Sequence, residues 1–467
     1  MVVVASLYTW INLDRIESIE PLEWDLSIFG QGVWKLSRGE TPNVTIRGLH
    51  LFGDHATYVH LLLAPLFRLW PSVSLLVVAQ SLALAASGVL LFTIARERLG
   101  RGAAAPLVLV AYLLYPPLQH SWFEYYQPDA LAIPCLVAAW WSVERRQLRA
   151  ALLWAGAAML TKENVAITTF ALGLYALVTG RRRIGVGLMA ASTVYLIVLM
   201  TLLFPAFNPG PGYIYSGRLY SDFASDLPGA VGYLSDPRNL WPRLATAANA
   251  RYLADLLLPL AALPLGAPLV LLPAAQLPLN LISSWPYARE AHYHYTLLII
   301  PFLFLALVAS LARLRARPFR LGLACGLLAA ATGVSQYASS PARPALEAAL
   351  ARREPVARAE HKEIRALLAT IPPGASVSAD YRFLPKLCVR DRVYMFPDMG
   401  PPGDPPRAVI LDLFKKHDSP REEAAALWLA SSGRFELAGR AGRRAMLFLL
   451  KQEPRRDPAR EGRPPRR

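Results

Sequence analysis

Nine side chains able to do acid–base or electrostatic work stand in short polar stretches between apolar runs: Asp25, Asp54, His55, Glu124, Asp129, Lys162, Glu163, His292 and His294. A carboxylate can take the proton of an attacking hydroxyl, and cations or a metal can hold a phosphate leaving group. Such a set suits an enzyme working on a lipid-linked substrate. Each residue also has an ordinary structural reading. Asp25 precedes Leu26-Ser27-Ile28-Phe29 and would serve equally as the cap of a helix starting there. Asp54-His55 would serve as a turn followed by an N-cap, Lys162-Glu163 as a solvated turn, and Glu124 as ordinary surface. His292 and His294, in Ala-His-Tyr-His-Tyr, have a spacing that suits metal ligation in an extended segment, but no third ligand follows by spacing.

The elements that must position these residues are membrane helices. Of 467 residues, 54% are hydrophobic and only 18% charged, well below the quarter usual in soluble domains, which excludes disorder, collagen and coiled coil. Eleven apolar segments are expected to span, near residues 1–13, 73–95, 103–118, 129–143, 150–160, 164–179, 184–206, 252–264, 267–282, 294–312 and 319–337. The first is short for a span, and it has neither a basic flank nor a small-residue cleavage site to mark a removed signal peptide. Residues 150–179 read as two short helices rather than one, because a single helix would carry Lys162 and Glu163 near mid-bilayer at about 2.5–3.5 kcal/mol each.

Orientation follows from arginine. Clusters at Arg96/Arg98/Arg101, Arg145/Arg146/Arg149, Arg181/Arg182/Arg183 and Arg313/Arg315/Arg317/Arg320 each follow an even-numbered segment. Basic residues in short loops stay cytoplasmic, so the N-terminus is expected inside and everything after residue 337 outside. The same clusters account for most of the formal +16 charge without nucleic acid as a partner. Cys135, Cys325 and Cys388 have no metal-ligand spacing, and no disulfide framework is expected.

Two external parts complete the plan. Residues 14–72 form a long first loop in which Leu26–Phe29 with Val33-Trp34, and then His55–Trp70, suit short helices lying at the interface, with Trp10, Trp24, Trp34 and Trp70 as an aromatic belt. After residue 337 the pattern changes: helices near 360–370 and 422–430 and strands near 375–379, 393–396 and 408–413 predict a small external α/β domain. The expected organisation is a transmembrane domain over 1–337, the external domain over 338–452, and a disordered basic tail over 453–467.

Several of these stretches carry a resemblance. Asp25-Leu-Ser-Ile-Phe-Gly-Gln-Gly-Val-Trp34, Phe52-Gly-Asp-His55, Leu63-Ala-Pro-Leu-Phe67, Phe123-Glu124, Pro128-Asp-Ala-Leu131, Leu160-Thr-Lys-Glu163 and Val377-Ser-Ala379 strongly resemble a bacterial and archaeal family of polytopic predicted membrane proteins. That family is grouped with the GT-C superfamily of integral-membrane glycosyltransferases. Family members more often carry His where Glu124 stands. The resemblance implies an all-α polytopic GT-C-like fold, a polyprenyl-phosphate sugar as donor, Asp25 as catalytic base with Asp54 a second acidic candidate, and Lys162 on the donor phosphate. It implies substrate-binding roles for His55, Glu124, Asp129, Glu163, His292 and His294. The expected partners are the lipid-linked donor, membrane lipids, and an envelope glycan, lipid or protein acceptor; a divalent metal remains open. Two other classes compete: a transporter or flippase, and a non-catalytic envelope scaffold. Transporters place their ionisable groups near the midplane in repeated halves, whereas here they gather at one face and no repeat is found.

The arginine parity makes one direct prediction. A C-terminal reporter active only in the cytoplasm stays silent; cytoplasmic activity would remove one segment from the count.

Overall fold

The computed structural model describes residues 1–20, 24–208, 212–415, 419–442 and 444–451. The expected basic tail from Glu453 lies outside them. The described chain is mostly helical, with a small mixed sheet near its C-terminal end.

Three helices are long and apolar enough to cross a membrane unaided, Ser74–Leu99, Arg182–Phe207 and Pro318–Ser339, and five shorter apolar ones accompany them, among them Leu148–Met159, Val165–Val178 and Ile300–Leu314. Several expected segments thus appear as regular helices, and the charged stretch after Ala150 does break into two. The segments expected near 252–264 and 267–282 do not. After helix Ala247–Leu257 the chain runs as 3-10 turns, Leu258–Leu260, Leu263–Gly266 and Pro268–Ala275, before a short helix Leu277–Ile282. Prolines 259, 264, 268, 273 and 278 are the cause, because each removes an N–H and clashes with the preceding turn. Ala261 and Ala262 adopt left-handed backbone, which finishes the break.

The first loop is built rather than draped. Helix Asp25–Ser37 leads to a two-stranded ladder, β1 (Asn43–Val44) and β2 (Leu49–His50), a short helical turn Leu51–Asp54, and helix His60–Leu69. The last of these keeps an exposed apolar face of Leu61, Leu62, Leu66 and Leu69, as an interfacial helix should. Asp25–Ser37 differs from expectation: Leu26, Ile28, Phe29 and Val33 are buried. What covers them is the C-terminal region. Five strands, β3 (Val377–Ala379), β4 (Val393–Met395), β5 (Ala408–Asp412), β6 (Phe435–Ala441) and β7 (Ala445–Leu450), pair in the order β4-β3-β5-β7-β6. β3 runs parallel to both neighbours, and β7 is antiparallel to β5 and β6. β5, Ala-Val-Ile-Leu-Asp, is buried along its whole length, as the apolar run of a central strand requires.

One hydrophobic cluster joins Leu26, Phe29 and Val33 of the first loop to Ile364, Leu384, Leu387 and Cys388 and to Val377 and Ile410 of the sheet. Polar contacts follow the same seam. Gln31 Nε2 donates to Arg390 O at 3.0 Å, Val393 N–H donates to Thr45 Oγ1 at 2.9 Å, and Arg382 Nη1 donates to Ile19 O at 3.1 Å.

Close helix packing elsewhere depends on glycine. Helices Val165–Val178 and Arg182–Val198 approach so tightly that a Cβ at Gly185 would lie 2.7 Å from Leu177 N and 2.8 Å from Gly173 O. Small residues permit such contact between membrane helices. Gly185→Ala is therefore expected to destabilise the chain by about 1–3 kcal/mol, whereas Gly187→Ala, whose Cβ would meet nothing nearer than 3.5 Å, leaves stability nearly unchanged. Thermal unfolding in detergent checks this; equal shifts for the two variants would refute the packing argument.

Candidate active site

A cavity of about 610 Å³ lies between the first loop, the helix-joining turns and the C-terminal sheet. Asp25, Asp54, His55, Glu124, Lys162 and His294 all line it. Residues separated by up to 269 positions, 294 minus 25, thus meet in one place. Asp129 and Glu163 stand directly behind its wall, bonded to Lys162 and His55 respectively.

Asp25 occupies the first turn of helix Asp25–Ser37, where no side-chain cap bond forms, so the capping role is not what holds it. Its Oδ2 instead accepts from Gln127 Nε2 at 2.9 Å. Gln127 is itself positioned by its backbone N–H donating to Gln80 Oε1 at 2.7 Å, and Gln80 donates to Ser121 O at 3.2 Å. A relay of amides thus fixes the Asp25 carboxylate while leaving it facing the cavity.

The Thr161–Asn164 turn, expected to be solvated if merely structural, is buried: Lys162 and Glu163 are 7% and 2% exposed. Each is paired. Lys162 Nζ lies 2.9 Å from Asp129 Oδ2, and Asn164 Nδ2 donates to Asp129 Oδ1 at 3.3 Å. Burial alone would lower the Lys162 pKa, but Asp129 and Glu163 outweigh it and hold the ammonium above its ordinary value. Glu163 Oε1 lies 2.8 Å from His55 Nδ1 and accepts from Tyr213 OH at 3.2 Å, while Oε2 accepts from the Ala56 N–H at 3.1 Å. Burial pushes Glu163 up, yet His55 and then Lys162 pull it further down, to about 2.

Asp54 ends the Leu51–Asp54 turn, with Arg47 Nε 3.5 Å away and the Tyr215 hydroxyl in a short bond to Oδ1. Tyr215 also stacks on His55, ring centres 4.5 Å apart. Glu124 faces a different situation. Its Oε1 is 2.6 Å from His294 Nδ1, while Oε2 is buried without a hydrogen-bond partner among the described residues. Burial and then the negative charge of Asp25 raise its pKa well above the carboxylate range, so it stands as an uncharged acid.

The two histidines part company. His294 joins Glu124 in the main cavity, whereas His292 is edge-on to His120, ring centres 4.3 Å apart, in a second cavity. No three His, Cys, Asp or Glu side chains gather as metal ligands among the described residues. The chemistry set out below requires none.

Sequence reasoning did not single out Arg47, Gln127 and Tyr215, nor the aromatic wall of Trp285, Tyr287, Tyr293 and Tyr295. The aromatic crowding around the two histidines was the available signal. Tyr381 and Met395, near the carboxyl ends of β3 and β4, complete the wall, where open parallel sheets commonly bind ligands.

Comparison with solved structures gives the class. The crystal structure of ArnT from Cupriavidus metallidurans bound to undecaprenyl phosphate matches with a TM-score of 0.55 at 15% identity, covering 96% of this chain and 97% of that one. The apo ArnT structure from the same organism matches at 0.44 and 15%, covering 93% and 95%. The chain therefore has the GT-C fold of ArnT, a likeness of fold at this identity. A family profile described as predicted membrane protein (DUF2079) matches residues 15–423, and the chain belongs to that family. A search of curated protein sequences finds no match.

The buried pairs set the expectation for Lys162. Lys162→Ala leaves Asp129 buried without its cation and should cost about 3–5 kcal/mol, read as lost abundance and a lowered unfolding temperature. Replacing both partners, Lys162→Met with Asp129→Leu, recovers most of that stability; no recovery would show that the pair is not what holds the turn.

Proposed function

We propose that the chain is a glycosyltransferase that moves a sugar from a polyprenyl-phosphate carrier to a hydroxyl acceptor of the envelope, on the external face of the membrane. The observation that carries this reading is the state of Asp25. Other acidic groups at the cavity are matched to cations or imidazoles, Asp54 to Arg47, Asp129 to Lys162, Glu163 to His55 and Glu124 to His294, whereas the hydrogen bond on Asp25 comes from the amide of Gln127. A carboxylate held by an amide keeps its basicity and faces the place where an acceptor would sit.

The proposed step is a single displacement. The acceptor oxygen bonds to the anomeric carbon as the bond from that carbon to the phosphate oxygen breaks, and Asp25 takes the hydroxyl proton. The leaving polyprenyl phosphate gains negative charge, which the Lys162 ammonium and the Arg47 guanidinium would offset at the cavity wall. Lys162 acts with Asp129 at its back, and Arg47 with Asp54, so each cation keeps donors to spare. Tyrosines and tryptophan at 285–295 offer flat faces and hydroxyls to a sugar ring. The GT-C fold, shared with a protein crystallised with undecaprenyl phosphate, supports a lipid-linked donor.

Asp25→Asn tests the assignment. The amide is nearly isosteric but cannot take a proton, so turnover should fall about 10²- to 10⁴-fold with little change in stability. Transfer is followed in membranes supplied with labelled lipid-linked sugars. A variant that keeps more than about a tenth of wild-type turnover removes Asp25 as the base.

A further inference from the structure

Glu124 lines two cavities, and the second, of about 450 Å³, has no part in the chemistry above. Its polar lining is Arg15, Glu20, His120, Glu124, His292 and Arg352. Arg15 ends helix Val2–Glu17, donates through Nη1 to Phe123 O at 2.8 Å, and lies 4.0 Å over the Tyr125 ring. Arg352, whose side chain is 9% exposed, gives Nε to Asp14 at 2.9 Å, but its Nη2 is buried with no hydrogen-bond partner among the described residues. On the shared wall, Glu124 Oε2 is in the same condition. Two orphaned polar atoms at one cavity are expensive unless something fills it.

The lining is rich in N–H donors. Arg15, Arg352, His120 and His292 face two carboxyls, and Glu124, uncharged through burial and the nearness of Asp25, adds an acid rather than a repelling charge. Guanidinium and imidazole donors at this density match the oxygens of a phosphate or carboxylate. The position narrows the source. His120 Nε2 contacts Ser339 O at 3.2 Å, and Ser339 is the last residue of a membrane-span helix, Pro318–Ser339, on which Val334 and Tyr337 are 67% and 88% exposed. The cavity therefore sits at the water-facing end of a lipid-exposed helix, within reach of a headgroup whose tails remain in the bilayer.

We propose that this second cavity binds the acceptor, a lipid whose headgroup carries phosphate or carboxylate oxygens, with Glu124 as the wall that separates it from the donor. The inference rests on the transferase reading and adds the acceptor class and its site. Donor and acceptor would then approach from opposite sides of one side chain. Glu124 Oε2 would find in the acceptor headgroup the partner the protein does not provide.

The test uses the purified full-length chain in detergent, with three probes: fluorescent phosphatidic acid, phosphatidylcholine with the same acyl chains, and farnesyl phosphate as a short polyprenyl phosphate. Phosphatidic acid should bind at least about tenfold more tightly than phosphatidylcholine. His292→Asp, at an exposed position where folding is not at stake, and Arg352→Gln should each weaken phosphatidic acid about tenfold and leave farnesyl phosphate unchanged. Should Arg352→Gln fail to fold, His292→Asp alone decides. Phosphatidic acid binding that ignores His292→Asp overturns the proposal, as does inorganic phosphate binding the wild type as tightly as the lipid, which would make this a soluble-anion site. A wild-type chain that does not bind farnesyl phosphate strikes the donor reading and the acceptor role with it. That failure is distinct, because the His292→Asp effect on phosphatidic acid is read independently.

Discussion

A charge placed away from water must find a partner, and that demand organises the molecule around one four-residue turn. Lys162 and Glu163 sit between two apolar helices where neither could stand alone. Lys162 reaches Asp129 at the start of the preceding span and Glu163 reaches His55 in the first loop, so a single turn ties the bundle to the loop that carries Asp54 and leads back to Asp25. Because the ion in a low dielectric is costly only when unpaired, these contacts set position more than they add stability. The cavity exists where it does because four charged groups had to be neutralised there.

The second support is apolar. The first-loop helix that presents Asp25 has its other faces buried with Leu384, Leu387 and Cys388, and the C-terminal sheet shares that core. Each large side chain buried in this seam contributes about 1.5–3 kcal/mol. Disturbing the sheet therefore reaches Asp25 through packing, with no contact between the sheet and the carboxylate required. Tyr381 and Met395 show the reverse traffic, since residues beside the strands form part of the cavity wall.

The sequence was most legible where one physical signal acted alone. Arginine clusters and long apolar runs marked the helices Ser74–Leu99 and Pro318–Ser339, and the cost of Lys162 in lipid marked the break between Leu148–Met159 and Val165–Val178. The same cost argument could not reveal that the turn is buried, because the partners are 33 and 108 residues away in the chain. Strands β3, β4 and β5 were readable as apolar runs, whereas β6 and β7 went unread: Glu436 and Arg440 break up one, and Met446–Leu450 looks equally helical. Of the site, the ionisable residues were legible by type and by their gathering in external loops. Their pairing was not, and neither was Gln127, an ordinary amide until Asp25 is seen beside it. The separation of His292 from His294 depends on backbone direction in the 3-10 turn His294–Thr296, which side-chain spacing does not report.

The proline-broken stretch from Leu258 to Ala275 has a consequence for how the chain is made. Its 3-10 turns leave backbone groups that lipid cannot satisfy, and it is tolerated because Leu260, Leu269 and Leu272 pack in the core with the helix Ile300–Leu314. Such a stretch cannot partition into the bilayer on its own as ordinary helices do. During biogenesis it must wait at the insertion machinery, or under its protection, until Ile300–Leu314 has been synthesised some 25 residues later, 300 minus 275, and enter the membrane with it.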